Sequence, residues 1–382
     1  MRLFLDELIA YGGYGRVYRA HTTDRDQPRR VFAVKKLHTT RRAKAPMLRH
    51  EACAMISLRG HASFPEVYAW GRTQYYEYLA LEELGSDINE PSKSASRLTM
   101  RNLIALTCQM IDALEYVHSR HLVHCDVKPG NFLFERNPTG RIKLVDWGTA
   151  KIYRDPATRV HRPEDSIPTL IGTRAFASIN VHYHIRPTRR DDMESLAYTI
   201  LSLLCDSLPW FTCKRTNEAY LREKLKWSGT AIGNGYPAVF GAFLDYARAL
   251  SFDGEPDYAT WRDLFKAVAP GLPEPPLFSL SDTSIRVGQH FWPSDVQPVP
   301  VRTPPCSYAQ EIYGDDDNWV PTSTWSNPVN VPDDDLLGDE QDTVARCVER
   351  IDETPGLGEP WLHEAIGYPP ETIIPYQNPT AP

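Results

Sequence analysis

The sequence predicts an α+β chain in two unequal parts, followed by an extension of different character, and three observations lead there. Near the N-terminus, short runs rich in β-branched and aromatic residues alternate with turn residues, the pattern of a small antiparallel sheet. From about residue 100 the apolar residues recur every three or four positions, the period of a helix. Beyond residue 269 the composition changes: residues 270–382 hold 19 of the chain's 32 prolines, with 19 Asp and Glu against 4 Lys and Arg.

The strand-like runs are residues 3–9, 16–20 and 31–37, and a glycine-rich turn, Tyr11-Gly12-Gly13-Tyr14-Gly15, joins the first two. A helix-like run, MLRHEACAMISL, then contains Glu51. Leu103, Leu106, Thr107, Met110, Leu114 and Val117 describe one face of an amphipathic helix over 99–119, with Thr99 as its N-cap. A second helix, about 190–205, is apolar nearly all round after its first turn and is expected to lie buried. No internal repeat is evident. At 382 residues the chain exceeds one small core, and the boundaries fall at about 1–84, 85–269 and 270–382.

Charge divides the chain along the same line. Residues 1–269 carry 38 basic and 30 acidic residues, net +8, whereas 270–382 carry −15, which the overall −7 conceals. Opposite charges on one chain attract at low salt. The runs Asp315-Asp316-Asp317 and Asp333-Asp334-Asp335 and the repeated proline pairs supply no apolar periodicity to offset ordering entropy, so the tail is expected to be mostly disordered. Within it, residues 343–351 and 361–366 are the pieces with enough apolar side chains for a docked helical turn.

Several classes are excluded. The longest apolar stretch, 196–205, is far short of the roughly 20 residues that cross a bilayer, and MRLFLDEL meets acid at once instead of building a leader. A cytoplasmic or nuclear chain with no membrane partner and no specific nucleic acid is expected. Seven scattered cysteines, never in a CxxC pair, read as reduced thiols, neither a disulfide framework nor a zinc cluster.

The chemistry sits in two clusters. The glycines at 12, 13 and 15 let backbone N–H groups approach a polyphosphate, and Lys35 ends an apolar strand where an inward ammonium needs a counter-charge, for which Glu51 is the candidate. Sharper is His124-Cys125-Asp126-Val127-Lys128-Pro129-Gly130-Asn131, followed by Asp146-Trp147-Gly148. Two carboxylates, an amide and a lysine on tight turns supply a base, two oxygen ligands for Mg²⁺ and a cation for a moving phosphoryl group. Carboxylates this close repel unless a cation or donors offset them, so packing alone is a poor explanation.

HxDxKxxN followed by DxG resembles the eukaryotic protein kinase family over about residues 3–268. Ile171-Gly172-Thr173, Ala177-Ser178-Ile179-Asn180, Thr188-Arg189-Arg190-Asp191-Asp192, Leu208-Pro209-Trp210, Gly235-Tyr236-Pro237 and Pro256-Asp257-Tyr258 are more narrowly similar to the casein kinase 1 group. The resemblance implies a bilobal fold and a Ser/Thr protein kinase using ATP and Mg²⁺. It implies Asp126 as the acceptor of the substrate proton, Lys128 at the γ-phosphoryl, Asn131 and Asp146 on the metal, and Lys35, paired with Glu51, on the α- and β-phosphates. Ala10, Gly12, Gly13, Gly15, Val17, Ala33 and Leu133 would surround the nucleotide, with Leu81 as gatekeeper and the backbone of Glu82 and Leu84 reading adenine. It also implies substrates with acidic or phosphorylated residues, read by Arg189 and, less directly, Lys226; the acidic tail is then a candidate autoinhibitor.

Three positions depart from the pattern: Ala10 for the first loop glycine, Cys125 for an arginine, and Trp147 for the phenylalanine of DFG. Two alternatives stay open. One is a pseudokinase-like scaffold with weak nucleotide binding. The other is a small-molecule phosphotransferase of the aminoglycoside type, against which Gly172-Thr173 and TRRDDMES speak.

Overall fold

The computed structural model describes residues 3–12 (backbone only at 11 and 12), 15–22, 30–38, 47–73, 75–90, 98–137, 139–288 and the backbone of 348–350. Strands β1 (Leu3–Gly12), β2 (Gly15–Thr22), β3 (Val31–His38), β4 (Val67–Arg72) and β5 (Tyr76–Leu81) form one antiparallel sheet in the order β1-β2-β3-β5-β4. Alternation along β3 decides where its chemistry points. Phe32 and Val34 join Leu3, Ala20 and Tyr78 in a small core on one face, so Lys35 is presented on the other, toward helix α1 (Met47–Ser57).

The helical lobe follows a short link, β6 (Leu84–Asp87), which pairs with β8 (Phe132–Glu135); β8 pairs in turn with β9 (Ile142–Leu144). Helix α2 (Met100–Ser119) starts where expected: Thr99 is extended and its hydroxyl accepts the Asn102 N–H at 3.2 Å. Its periodic face is buried at Leu103, Leu106, Met110, Leu114 and Val117. Strand β7 (Leu122–Val123) precedes the HCDVKPGN turn, and β10 (Lys151–Ile152) pairs with it. After a short helix α3 (Ile179–His182), helix α4 (Arg189–Cys205) runs through the middle of the lobe, buried at every residue except Ser202. Thr188 and Asp191 close a capping box at its start. Helices α5 (Asn217–Lys226), α6 (Gly229–Ile232), α7 (Val239–Ala249) and α8 (Tyr258–Val268) complete the lobe, α7 against α4 and α8 against α2.

One boundary differs from the sequence reading. Residues 270–288, assigned there to the tail, are packed along the helical lobe. Phe278 N–H donates to Gly140 O, Val287 N–H to Leu98 O and Gly288 N–H to Leu204 O, while the Asn102 side chain bonds both N and O of Ser279. Val287 is buried and Phe278 packs on Phe134. Prolines break helical and strand periodicity here, but backbone hydrogen bonds to a preformed lobe need no periodicity. The disorder expected of the tail falls on residues outside the described ones, apart from β11 (Val348–Arg350), an extended piece, not a helical turn, that pairs antiparallel with β4. No helix among the described residues is long and apolar enough to cross a membrane. The five described cysteines, Cys53, Cys108, Cys125, Cys205 and Cys213, are free thiols.

Candidate active site

Lys35 and Glu51 meet as the sequence suggests, with Nζ 2.8 Å from Glu51 Oε2, and the same Nζ lies 2.8 Å from Asp146 Oδ1. Strand β3, helix α1 and the DWG turn therefore converge on one ammonium. Burial would lower the Lys35 pKa, but the Glu51 and Asp146 charges outweigh it and hold the ammonium above its ordinary range. Asp146 is pushed upward by burial and, more strongly in sum, downward by Lys35 and its hydrogen bond, so it stays ionised. Its backbone is left-handed, φ 68°, which turns the carboxylate back toward the small lobe.

The second cluster is tighter. Lys128 Nζ lies 2.7 Å from Asp126 Oδ2 and 2.8 Å from Thr173 Oγ1, while Thr173 N–H donates to Asp126 Oδ1 at 2.7 Å. Asn131 Nδ2 donates to Asp126 O at 2.8 Å, leaving its amide oxygen as the atom that would ligate a metal. Val145 N–H bonds Asn131 O, placing the Asp146 turn beside the Asp126 turn. Gly172 is required here: at φ +83°, its added Cβ would meet Cys125 O at 2.3 Å. In the sequence, Gly172 and Thr173 stand out as family signatures that favour a protein substrate, without a contact of their own. Nothing local reveals that Thr173 bridges Asp126 and Lys128, because the contacts span 47 and 45 positions.

A buried frame holds the catalytic turn. Asp192, at the start of α4, accepts the His124 N–H at 2.7 Å and the Cys125 N–H at 2.9 Å. Unforeseen is His118, whose Nε2 lies 3.0 Å from the same carboxylate and whose Nδ1 lies 2.6 Å from the Tyr258 hydroxyl. Burial lowers the His118 pKa, so the imidazole is neutral and donates to Asp192. Trp147 is fully buried, its indole N–H bonding Leu144 O at 3.2 Å and its ring edge-on to His124. The larger side chain is thus accommodated with its polar atom satisfied. Cys125 adopts φ +66° and has its thiol pushed well up by burial, which leaves it no role as a charged group.

Over the cleft, Val17 pairs with Lys35 across β2–β3, and Ala33 with Leu81 across β3–β5. Ala10 pairs with Val17 beyond an irregularity in β1, and the backbones of Gly12 and Gly15 pair where the loop begins. Gly13 lies outside the described residues. Leu133 is half-buried in β8 beneath. In the link between lobes, the Glu82 N–H is taken by Glu66 O at 2.9 Å, which leaves its carbonyl as the backbone group for the ligand contact expected there, while the Glu82 carboxylate binds Lys143 at 2.8 and 3.0 Å. Glu83, which sequence reasoning passed over, is buried and ion-pairs with Arg19 of β2 at 2.6 Å and with Arg136 of the large lobe, tying both lobes to the link. Leu84 opens β6.

The two residues assigned to a substrate anion are not brought together. Arg189 is buried with its guanidinium over the Tyr153 ring, donating to Asp253 O at 2.7 Å and 3.7 Å from Glu255; its Nε has no partner. Lys226 is half-exposed at the end of α5 and pairs with Glu223 at 2.7 Å.

Among the described residues, no group of three or more His, Cys, Asp or Glu side chains could hold a metal by itself. Asp146 and Asn131 fit Mg²⁺ in a different way, as two hard oxygen donors that leave the remaining positions to phosphate and water. A model of the protein kinase domain matches residues 5–231. The chain is also 36% identical over 238 residues to casein kinase I homolog 2 of Schizosaccharomyces pombe, an alignment covering 60% of this chain. The chain spans about half, 54%, of that relative's length.

Proposed function

The chain belongs to the protein kinase family, and from that premise we propose that it transfers the γ-phosphoryl group of ATP to Ser and Thr hydroxyls of protein substrates, in the manner of casein kinase 1. The observation that carries this reading is the Asp126 carboxylate held between Lys128 and Thr173, below a Lys35 ammonium already paired with Glu51 and Asp146. Lys35 binds the α- and β-phosphate oxygens. Asp126 orients the substrate hydroxyl and takes its proton as the new O–P bond forms and the bond from γ-phosphorus to the bridging oxygen breaks, releasing ADP. Lys128 neutralises charge on the group in transit. Magnesium, held by Asp146 and Asn131, would supply further positive charge at the phosphates. The turn needs no activating phosphate on this reading, because Cys125 stands where an arginine would bind one and Asp192 and Thr173 already fix its backbone and carboxylate.

We further propose acidic or phosphorylated substrates, supported by the net +8 of residues 1–269. The acidic tail competes for the same positive surface. The test is incubation of wild type, Lys35→Met and Asp126→Asn with labelled ATP and an acidic peptide. Wild type should label the peptide, and each substitution should lower the rate at least about 100-fold with unchanged circular dichroism. Nucleotide binding without transfer by wild type would leave a scaffold as the function.

A further inference from the structure

Lys224 is a fully buried lysine with no carboxylate within ion-pair distance among the described residues. Burial pushes its pKa well below the ordinary lysine range, a change opposed by the Glu194 charge. A buried ammonium is expensive unless each N–H is used. Here all three are: Nζ lies 2.5 Å from Ala177 O, 3.0 Å from Arg174 O and 3.0 Å from His182 Nε2. The rings of Tyr198 and Trp210 face the same cation at 4.7 and 5.4 Å. Asn217 sets the His182 tautomer: its Oδ1 lies 2.5 Å from Nδ1 while its amide N–H bonds His182 O, so in the neutral ring Nδ1 carries the proton, Nε2 accepts from Lys224, and the 3.1 Å approach of Nε2 to Arg174 O is a contact between two acceptors that the shared Lys224 Nζ bridges.

The carbonyls gathered by this cation belong to one stretch of chain. Residues 174–177 follow directly on Thr173, which touches both Asp126 and Lys128. The carbonyl between the two that Lys224 holds, Ala175 O, accepts the Trp210 indole N–H at 2.8 Å. The backbone thus faces inward at 174, 175 and 177, while the Arg174 side chain is exposed and those of Ala175 and Phe176 are half-exposed. Those side chains adjoin Thr173, which touches Asp126, so they form the surface that a polypeptide presenting a hydroxyl to Asp126 would meet.

We propose that Lys224 is a positioning residue for the protein substrate: its ammonium pins the 174–177 segment as a fixed docking ledge beside Asp126. This rests on the kinase reading above and adds to it the residue that shapes the peptide side of the site. The nucleotide side, Lys35 with Glu51 and Asp146, does not depend on it.

The test is Lys224→Met, which keeps the aromatic box filled but cannot donate. The substitution leaves the Arg174 and Ala177 carbonyls without their donor, at a cost of about 1–3 kcal/mol for each acceptor that stays buried, which the segment can reduce only by loosening toward water. Expected are a rise in peptide KM and a fall in kcat/KM of about 10- to 100-fold, with ATP KM and the slow hydrolysis of ATP to water within about twofold of wild type. Amide exchange at Phe176 and Ala177, whose N–H groups bond Thr173 O, should quicken while α4 keeps its protection. Should Lys224→Met not fold, Trp210→Phe, which removes the bond to Ala175 O and shrinks the ring over Lys224 while leaving Lys224 in place, is expected to raise peptide KM in the same direction. Unchanged peptide KM and unchanged exchange, with wild type active, would overturn the inference and leave the kinase reading standing; an inactive wild type would overturn the kinase reading itself.

Discussion

His182 shows how one buried side chain contributes a slope to the pH dependence of stability, opposed between about pH 4 and 6 by Asp191, whose carboxyl burial pushes up to about 6. Burial first, then the Lys224 charge, lowers the His182 pKa to about 3 from the ordinary 6.5. The folded chain therefore binds fewer protons at this site than the unfolded chain between those values, and the site's contribution to stability is lost as pH falls from 6.5 toward 3. The slope is at most about 1.4 kcal/mol per pH unit. His182→Gln, neutral throughout, should flatten this slope in urea titrations at pH 7, 6, 5 and 4; equal slopes in both proteins would mean that folding leaves the imidazole's proton affinity alone. Neither this histidine nor Lys224 stood out in the sequence, since each gains its role from contacts more than 30 positions away. Lys35, Asp126, Asn131 and Asp146 did stand out, because tight turns keep their spacing and that spacing is itself the chemistry.

At the scale of the element, α4 was legible from its nearly continuous apolar run, which names a buried helix over about 190–205; the Thr188–Asp191 capping box that fixes its start at Arg189 came from the structure. Its first turn also does the most for the site. Asp192 uses one oxygen for Cys125 N–H and the other for both His124 N–H and His118. An amide in its place keeps one acceptor and turns a donor on donors. Asp192→Asn should therefore cost about 1–3 kcal/mol of stability and lower kcat while ATP KM changes little, because the catalytic turn moves and the Lys35 end does not. A parallel change in ATP KM would count against Asp192 acting on that turn alone. Elements of ordinary length escaped the reading too, among them β4, β5, α5, α7 and α8, but β7, β10 and α3 span only two to four residues. So short a run shows no period, and it forms because neighbours on both sides offer partners.

For the whole molecule the question is where the packed body ends and what the remainder does. Composition set the change at 270, since proline and acid begin there, but the backbone bonds of 278, 287 and 288 carry the body on to Gly288. A chain ending at 288 should unfold within about 1 kcal/mol of the full chain. One ending at 269 should lose about 2–4 kcal/mol, the burial of Val287 and Phe278 and the partners of three backbone N–H groups. With this boundary, residues 289–382 carry 17 Asp and Glu against 3 Lys and Arg, and residues 1–288 carry 39 basic against 32 acidic residues. A net −14 tethered to a net +7 competes with acidic substrates most where screening is weakest, at about 0.01 M salt, with a Debye length near 30 Å. The chain ending at 288 should therefore phosphorylate an acidic peptide a few-fold faster than the full chain at that salt, and the two rates should converge as salt rises toward about 0.5 M. A neutral peptide should show little difference at either salt. Equal rates on the acidic peptide at low salt would remove the tail from regulation, and a difference that persists at high salt would assign its effect to a specific contact such as the pairing of β11 with β4.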